Sequence, residues 1–124
     1  MAESPSTTTA WPTQLRLSQQ GRVLSVTFDT GESFDLTAEF LRVSSPSAEV
    51  RGHGQAEPKI EAGKRNVAIR EIHPTGNYAV RLSFDDGHDT GIYTWTYLYE
   101  LGAGQEKLWQ TYLNALESKG FSRG

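Results

Sequence analysis

The stretch "NYAVRLSFDDGHD", residues 77–89, joins a strict alternation of apolar and polar residues to a polar turn. Tyr78, Val80, Leu82 and Phe84 fall on one face of an extended segment, and Ala79, Arg81 and Ser83 on the other. Asp86-Gly87 then reads as a hairpin turn, because glycine takes the positive φ that such turns need. A strand that ends in a tight turn needs an antiparallel partner. "NVAIREI" at 66–72 supplies one through the turn "HPTG".

The same logic runs upstream. "QLRLS" at 14–18 alternates Leu15 and Leu17, "RVLSVTF" at 22–28 places Leu24, Val26 and Phe28 on one side, and "DTGE" turns into "SFDL". Three short antiparallel strands are predicted there. Thr37 is placed to cap a short helix over Ala38–Arg42, anchored by Phe40 and Leu41. "AEVRGHG" at 48–54 is read as a returning strand and 55–65 as a loop. Toward the end, Thr94 caps a helix over Trp95–Leu101 that Gly102 stops. A final helix sets Leu108, Trp109, Tyr112, Leu113 and Leu116 on one stripe, with Gly120 as its left-handed cap and Phe121 folding back. The expectation is an α+β fold: a small, mainly antiparallel sheet, a short helix after the third strand, and C-terminal helices. No internal repeat is read.

The 124 residues fit one domain, expected over 11–124, behind a disordered tail at 1–10. That tail has neither the basic nor the apolar region of a signal peptide. No apolar run reaches the roughly 18 residues of a membrane span. A net charge of −3 and a pI near 5.6 give no basic footprint for nucleic acid. The absence of cysteine excludes disulfides, thiolate ligands and a cysteine nucleophile, and fits a cytoplasmic protein.

Chemistry concentrates at Asp85, Asp86, His88 and Asp89. His88 has the side chain for acid–base work near neutrality or for metal binding, with Asp85, Asp86 or Asp89 orienting its ring or sharing the ion. Against this stands the plain reading of a solvated turn. Other signatures fail. His53, His73 and His88 are followed two places on by Gln55, Thr75 and Thr90, so the His-x-Asp/Glu half of a 2-His-1-carboxylate iron site is missing. There is no nucleophile elbow and no P-loop, and "GAGQ" at 102–105 follows a helix rather than a strand. His53 between two glycines reads as a loop residue.

Together, "FLRVSSPSAEVRGHG", "GNYAVRLSFDDGHDTGIYTWTYLYEL" and the "F-D-x-G" hairpin at 28–31 resemble the N-terminal domain of gamma-butyrobetaine hydroxylase. The likeness is closest to small bacterial proteins made of that domain alone, and covers residues 12–102. It implies a sheet-rich domain whose hydroxylase relatives place catalysis in a following 2-oxoglutarate- and iron-dependent domain. It also implies a structural zinc held by three cysteines and a histidine. Ser45, Ser47 and Val50 stand at the thiolate positions here, and only His88 keeps a ligand type. Neutral hydroxyls do not replace thiolates, so no cofactor is expected. His88 is instead expected to hydrogen-bond within 41–50. Similar domains fused to Mrp-type P-loop ATPases suggest a partner in iron–sulfur assembly or an oxygenase component.

The expected function is therefore a non-catalytic binding or adaptor domain, accessory to iron, iron–sulfur or oxygenase metabolism. Its interaction surface would hold Arg42, Ser45, Ser47, His53 and His88. The alternatives are a divalent-metal binder built on His88 with Asp85, Asp86 or Asp89, and His53 as a further donor across the fold, and a small acid–base enzyme.

Overall fold

A computed structural model describes residues 11–46 and 62–124. The predicted tail at 1–10, the returning strand at 48–54 and most of the predicted loop after it lie outside the described residues. The elements are β1 (Pro12–Ser18), β2 (Val23–Phe28), β3 (Ser33–Thr37), α1 (Ala38–Val43), β4 (Ile69–Thr75), β5 (Ala79–Phe84), β6 (Ile92–Thr94), α2 (Trp95–Ala103) and α3 (Gln105–Lys119). The α+β class holds, but the strands form two three-stranded antiparallel sheets, β1-β2-β3 and β4-β5-β6, rather than one.

Each central strand buries one face. Leu24, Val26 and Phe28 of β2, and Val80, Leu82 and Phe84 of β5, are at most 2% exposed. Both sets join Leu36, Leu41, Val67, Ile69, Tyr93, Leu98 and Leu101 in one apolar cluster, so the two sheets share a core. The prolines within strands, Pro12 and Pro74, fall on β1 and β4, which are edge strands that can spare a donor.

The two sheets are built alike, which corrects the reading that the chain has no internal repeat. "FDTGE" (28–32) and "FDDGH" (84–88) fold into the same turn. In each, the glycine N–H donates to the phenylalanine carbonyl (Gly31 to Phe28, 3.0 Å; Gly87 to Phe84, 3.1 Å). The phenylalanine N–H in turn donates to the residue after the glycine, Glu32 at 2.8 Å or His88 at 2.9 Å. Gly31 and Gly87 share φ +93°, the left-handed position that closes a three-residue hairpin with a bulge. The aspartate after each phenylalanine clamps the residue just before the neighbouring strand through both its backbone and its side chain. Asp29 N–H donates to Trp11 O and its Oδ1 accepts from Trp11 N–H; Asp85 does the same with Ala68.

The registers agree as well. Pro12↔Phe28 matches Ile69↔Phe84, each followed by a bulge, and Leu24↔Leu36 matches Val80↔Tyr93. Each third strand ends in a threonine that caps a helix: Thr37 Oγ1 accepts from Phe40 N–H, and Thr94 Oγ1 from Tyr97 N–H, both at 3.1 Å. Two strand-strand-strand-helix units thus face a common core.

Four expectations change in detail. Tyr78 is 52% exposed, because the extended alternation starts only at Ala79 and Tyr78 belongs to the preceding turn. Gly102 does not stop α2 but lies inside it, buried, where an added Cβ would meet the Phe34 ring at 2.4 Å. Leu108 and Phe121 are exposed, although the Phe121 and Gly120 amides do close the end of α3 on Leu116 and Glu117 as a left-handed cap requires. β6 is an unpredicted strand of three residues.

Candidate functional site

The glycine-closed turn after β5 aims His88 back into the fold. The residue is only 8% exposed, and its Nε2 lies 2.9 Å from Ser45 Oγ, just beyond the end of α1. Ser45 is 1% exposed. The expected approach of His88 to the segment 41–50 is therefore made at Ser45. The fit depends on Gly91, where an added Cβ would come within 2.4 Å of Ser45 Oγ. Phe84 flanks the imidazole, with ring centroids 6.2 Å apart.

Asp86 organises the outer side of the turn. Its Oδ1 accepts from the His88 backbone N–H at 3.1 Å. Its Oδ2 accepts from Arg42 Nε at 2.9 Å and Lys64 Nζ at 2.6 Å. Partial burial pushes the Asp86 carboxyl up, but the Lys64, His88 and Arg42 donors outweigh it and hold the pKa at about 2. The folded state thus favours the carboxylate more than the unfolded chain does. The stability this confers is present above the ordinary value of 3.8 and is lost as pH falls toward about 2. In acid titrations of folding, Asp86→Asn is expected to remove that part of the pH dependence. Parallel wild-type and variant curves would contradict it.

Two tyrosines of the second unit complete the link. Tyr93, fully buried on β6, donates its hydroxyl to Leu41 O, and Tyr97 on α2 donates to Ser44 O at 2.6 Å. Burial pushes the Tyr93 phenol pKa up, so it stays a protonated donor. The carbonyls released where α1 ends thus meet hydroxyls from the second unit.

The counterpart position in the first unit behaves reciprocally. Glu32 Oε1 accepts from Tyr99 of α2 at 2.6 Å, as His88 contacts the end of α1. Each turn is therefore tied to the helix of the other unit.

Of the sequence-predicted residues, Arg42, Ser45, Asp86 and His88 come together. Asp85 is turned to Ala68, and Asp89 lies near Arg81, 3.8 Å away on the exposed side. Ser47, Val50 and His53 lie outside the described residues. The donor set does not fit the zinc of the resembled domain. Ser45 offers a neutral hydroxyl already against His88 Nε2, and the Asp86 carboxylate is held by two cations. No group of three or more histidine, cysteine or acidic residues poised to hold a metal occurs among the described residues. His88→Ala is expected to cost about 1–2 kcal/mol, through the lost hydrogen bond to Ser45 and the lost packing of the ring. A denaturant midpoint equal to that of the wild type would contradict this role.

Two NMR solution structures are each 48% identical to this chain. One matches over 92% of this chain and 90% of that one with a TM-score of 0.80; the other over 98% and 91% with a TM-score of 0.81. A crystal structure of a protein with unknown function from Acidithiobacillus ferrooxidans, of the DUF971 family, is 41% identical. It covers 74% of this chain and 92% of that one, with a TM-score of 0.62. No curated protein matches. No helix among the described residues is long and apolar enough to cross a membrane. Residues 15–99, which span both units from β1 into α2, match the N-terminal domain described as gamma-butyrobetaine hydroxylase-like, and the chain belongs to that family.

Proposed function

We propose that this chain is a non-catalytic binding or adaptor domain of the cytoplasm that serves an iron, iron–sulfur or oxygenase partner. The observation that carries the reading is the mutual engagement of the candidate residues. Ser45 and His88 face each other, Asp86 is held by Arg42 and Lys64, and Tyr93 and Tyr97 cap α1. A catalytic acid or base must instead reach a substrate atom. Here the same groups hold the end of α1 against the turn after β5, with buried Arg42 fixing the partly exposed Asp86 at the surface. The hydroxylase resemblance supports the partner class, since there the chemistry belongs to a separate iron domain. No metal or other cofactor is needed for this role.

Affinity capture from the native cell with the wild type and with Asp86→Ala tests it. The wild type is expected to enrich an iron–sulfur assembly ATPase or an oxygenase component, and the variant to lose it. Iron-dependent succinate formation from 2-oxoglutarate by the homogeneous protein would overturn the reading.

A further inference from the structure

Beside α1, a cavity of about 400 Å³ opens between that helix and the first turns of α3. Its walls include Glu39 and Phe40 from α1, Glu106 and Trp109 from α3, and Arg123 from the segment after α3. None of these residues belongs to the link at Ser45 and His88.

Glu39 is the unusual member. It is 5% exposed, and burying a carboxylate is costly unless a cation and hydrogen bonds compensate. The compensation comes from Arg123, whose Nε donates to Oε2 at 2.9 Å and whose Nη2 donates to Oε1 at 2.8 Å. This is the two-pronged geometry that matches guanidinium to carboxylate and that lysine cannot reproduce. The guanidinium carbon also lies 5.3 Å from the centre of the Trp109 ring, where the π face favours a cation. Trp109 is braced edge-on by Phe40, with ring centroids 6.1 Å apart at 83°.

Acceptor and aromatic face are thus fixed to two packed helices. The cation arrives on an irregular segment, tied by Ser122 O and Arg123 O to the amides of Gly63 and Arg65, and its side chain is 35% exposed. Glu106 adds a second carboxylate, so the lining carries two negative groups against one guanidinium. We propose that this niche is a guanidinium-binding site, occupied in the isolated chain by its own Arg123, which an incoming guanidinium side chain or small guanidinium compound displaces. The fork on Glu39 selects guanidinium over ammonium, the Trp109 face holds its plane, and the remaining cavity takes the rest of the ligand.

The test follows binding of Nα-acetyl-arginine methylamide, its lysine counterpart and a short glycine-flanked arginine peptide through the Trp109 indole NMR signal. Arg123→Ala is expected to bind the arginine probe saturably, and the wild type at least about tenfold more weakly, because its tethered side chain leaves the niche rarely open. Arg123→Lys keeps a cation beside Glu39 and so guards against loss of the fold; it is expected to bind more tightly than the wild type. Glu39→Gln in either background should abolish binding, and the lysine probe should bind less well than arginine. Tighter binding of the peptide than of the amide would assign the site to a partner segment; equal binding would assign it to a small guanidinium compound. No saturable arginine binding in either Arg123 variant, or equal binding of arginine and lysine probes, would overturn the proposal.

Discussion

Leu82→Ala is expected to lower the unfolding free energy by about 2–5 kcal/mol, the cost of emptying a large buried site. Leu82 has no solvent exposure and sits mid-strand in β5, opposite Ile72 of β4. Its N–H also donates to Gly91 O at 3.3 Å, so the strand is held on the β6 side as well. Collapse around the deleted isopropyl group is therefore restricted from both edges, which favours the upper part of the range. Equilibrium denaturation measures the loss directly. A change within about 0.5 kcal/mol, typical of surface sites, would mean that β5 does not bury this face.

Gly21→Ala is expected to be nearly as damaging, by about 2–4 kcal/mol, through left-handed strain together with overpacking. Gly21 closes the tight 3-10 turn Gln19–Gly21 between β1 and β2, where three successive residues carry positive φ. At φ +87°, an added Cβ would stand 2.4 Å from Ile69 O. That obstacle is backbone of β4, not the end of a side chain, so relief requires one unit to move against the other. Gly31→Ala is the matched control. It shares the positive φ, at +93°, but nothing lies within 4 Å of its added Cβ. The difference between the two variants isolates the approach of the first turn to the second sheet. Equal losses would show that the contact carries no stability.

The hairpins and both threonine caps were legible because their signals are local. Alternation in β2 and β5, Asp-Gly and Thr-Gly turns, and a threonine before an apolar helix each act within a few residues. The repeat was not legible, because the two units share little beyond F-D-x-G and the capping threonine. Phe28 to Thr37 spans nine positions and Phe84 to Thr94 ten, so the third strands do not align by simple offset. β6 escaped because only three residues follow the polar "DDGHDTG". Gly102 misled for a different reason. A glycine near a helix end reads as a cap, whereas here it makes room for Phe34 from the other unit. At the site, His88 and Ser45 could be paired from the resemblance, but Tyr93, Tyr97 and Lys64 are brought there by packing between units. The Glu39–Arg123 pair, 84 residues apart, had no signal in the sequence.

The central claim is that hydrogen bonding, not a metal, joins His88 to the end of α1. Zinc titration of untagged protein, read by the His88 ring NMR signals together with elemental analysis and a melt in strong chelator, tests it most directly. The expected result is no stoichiometric zinc, unmoved ring signals and an unchanged melting temperature. One zinc bound per chain, with the His88 signals shifted and the melting temperature lowered by chelation, would contradict it.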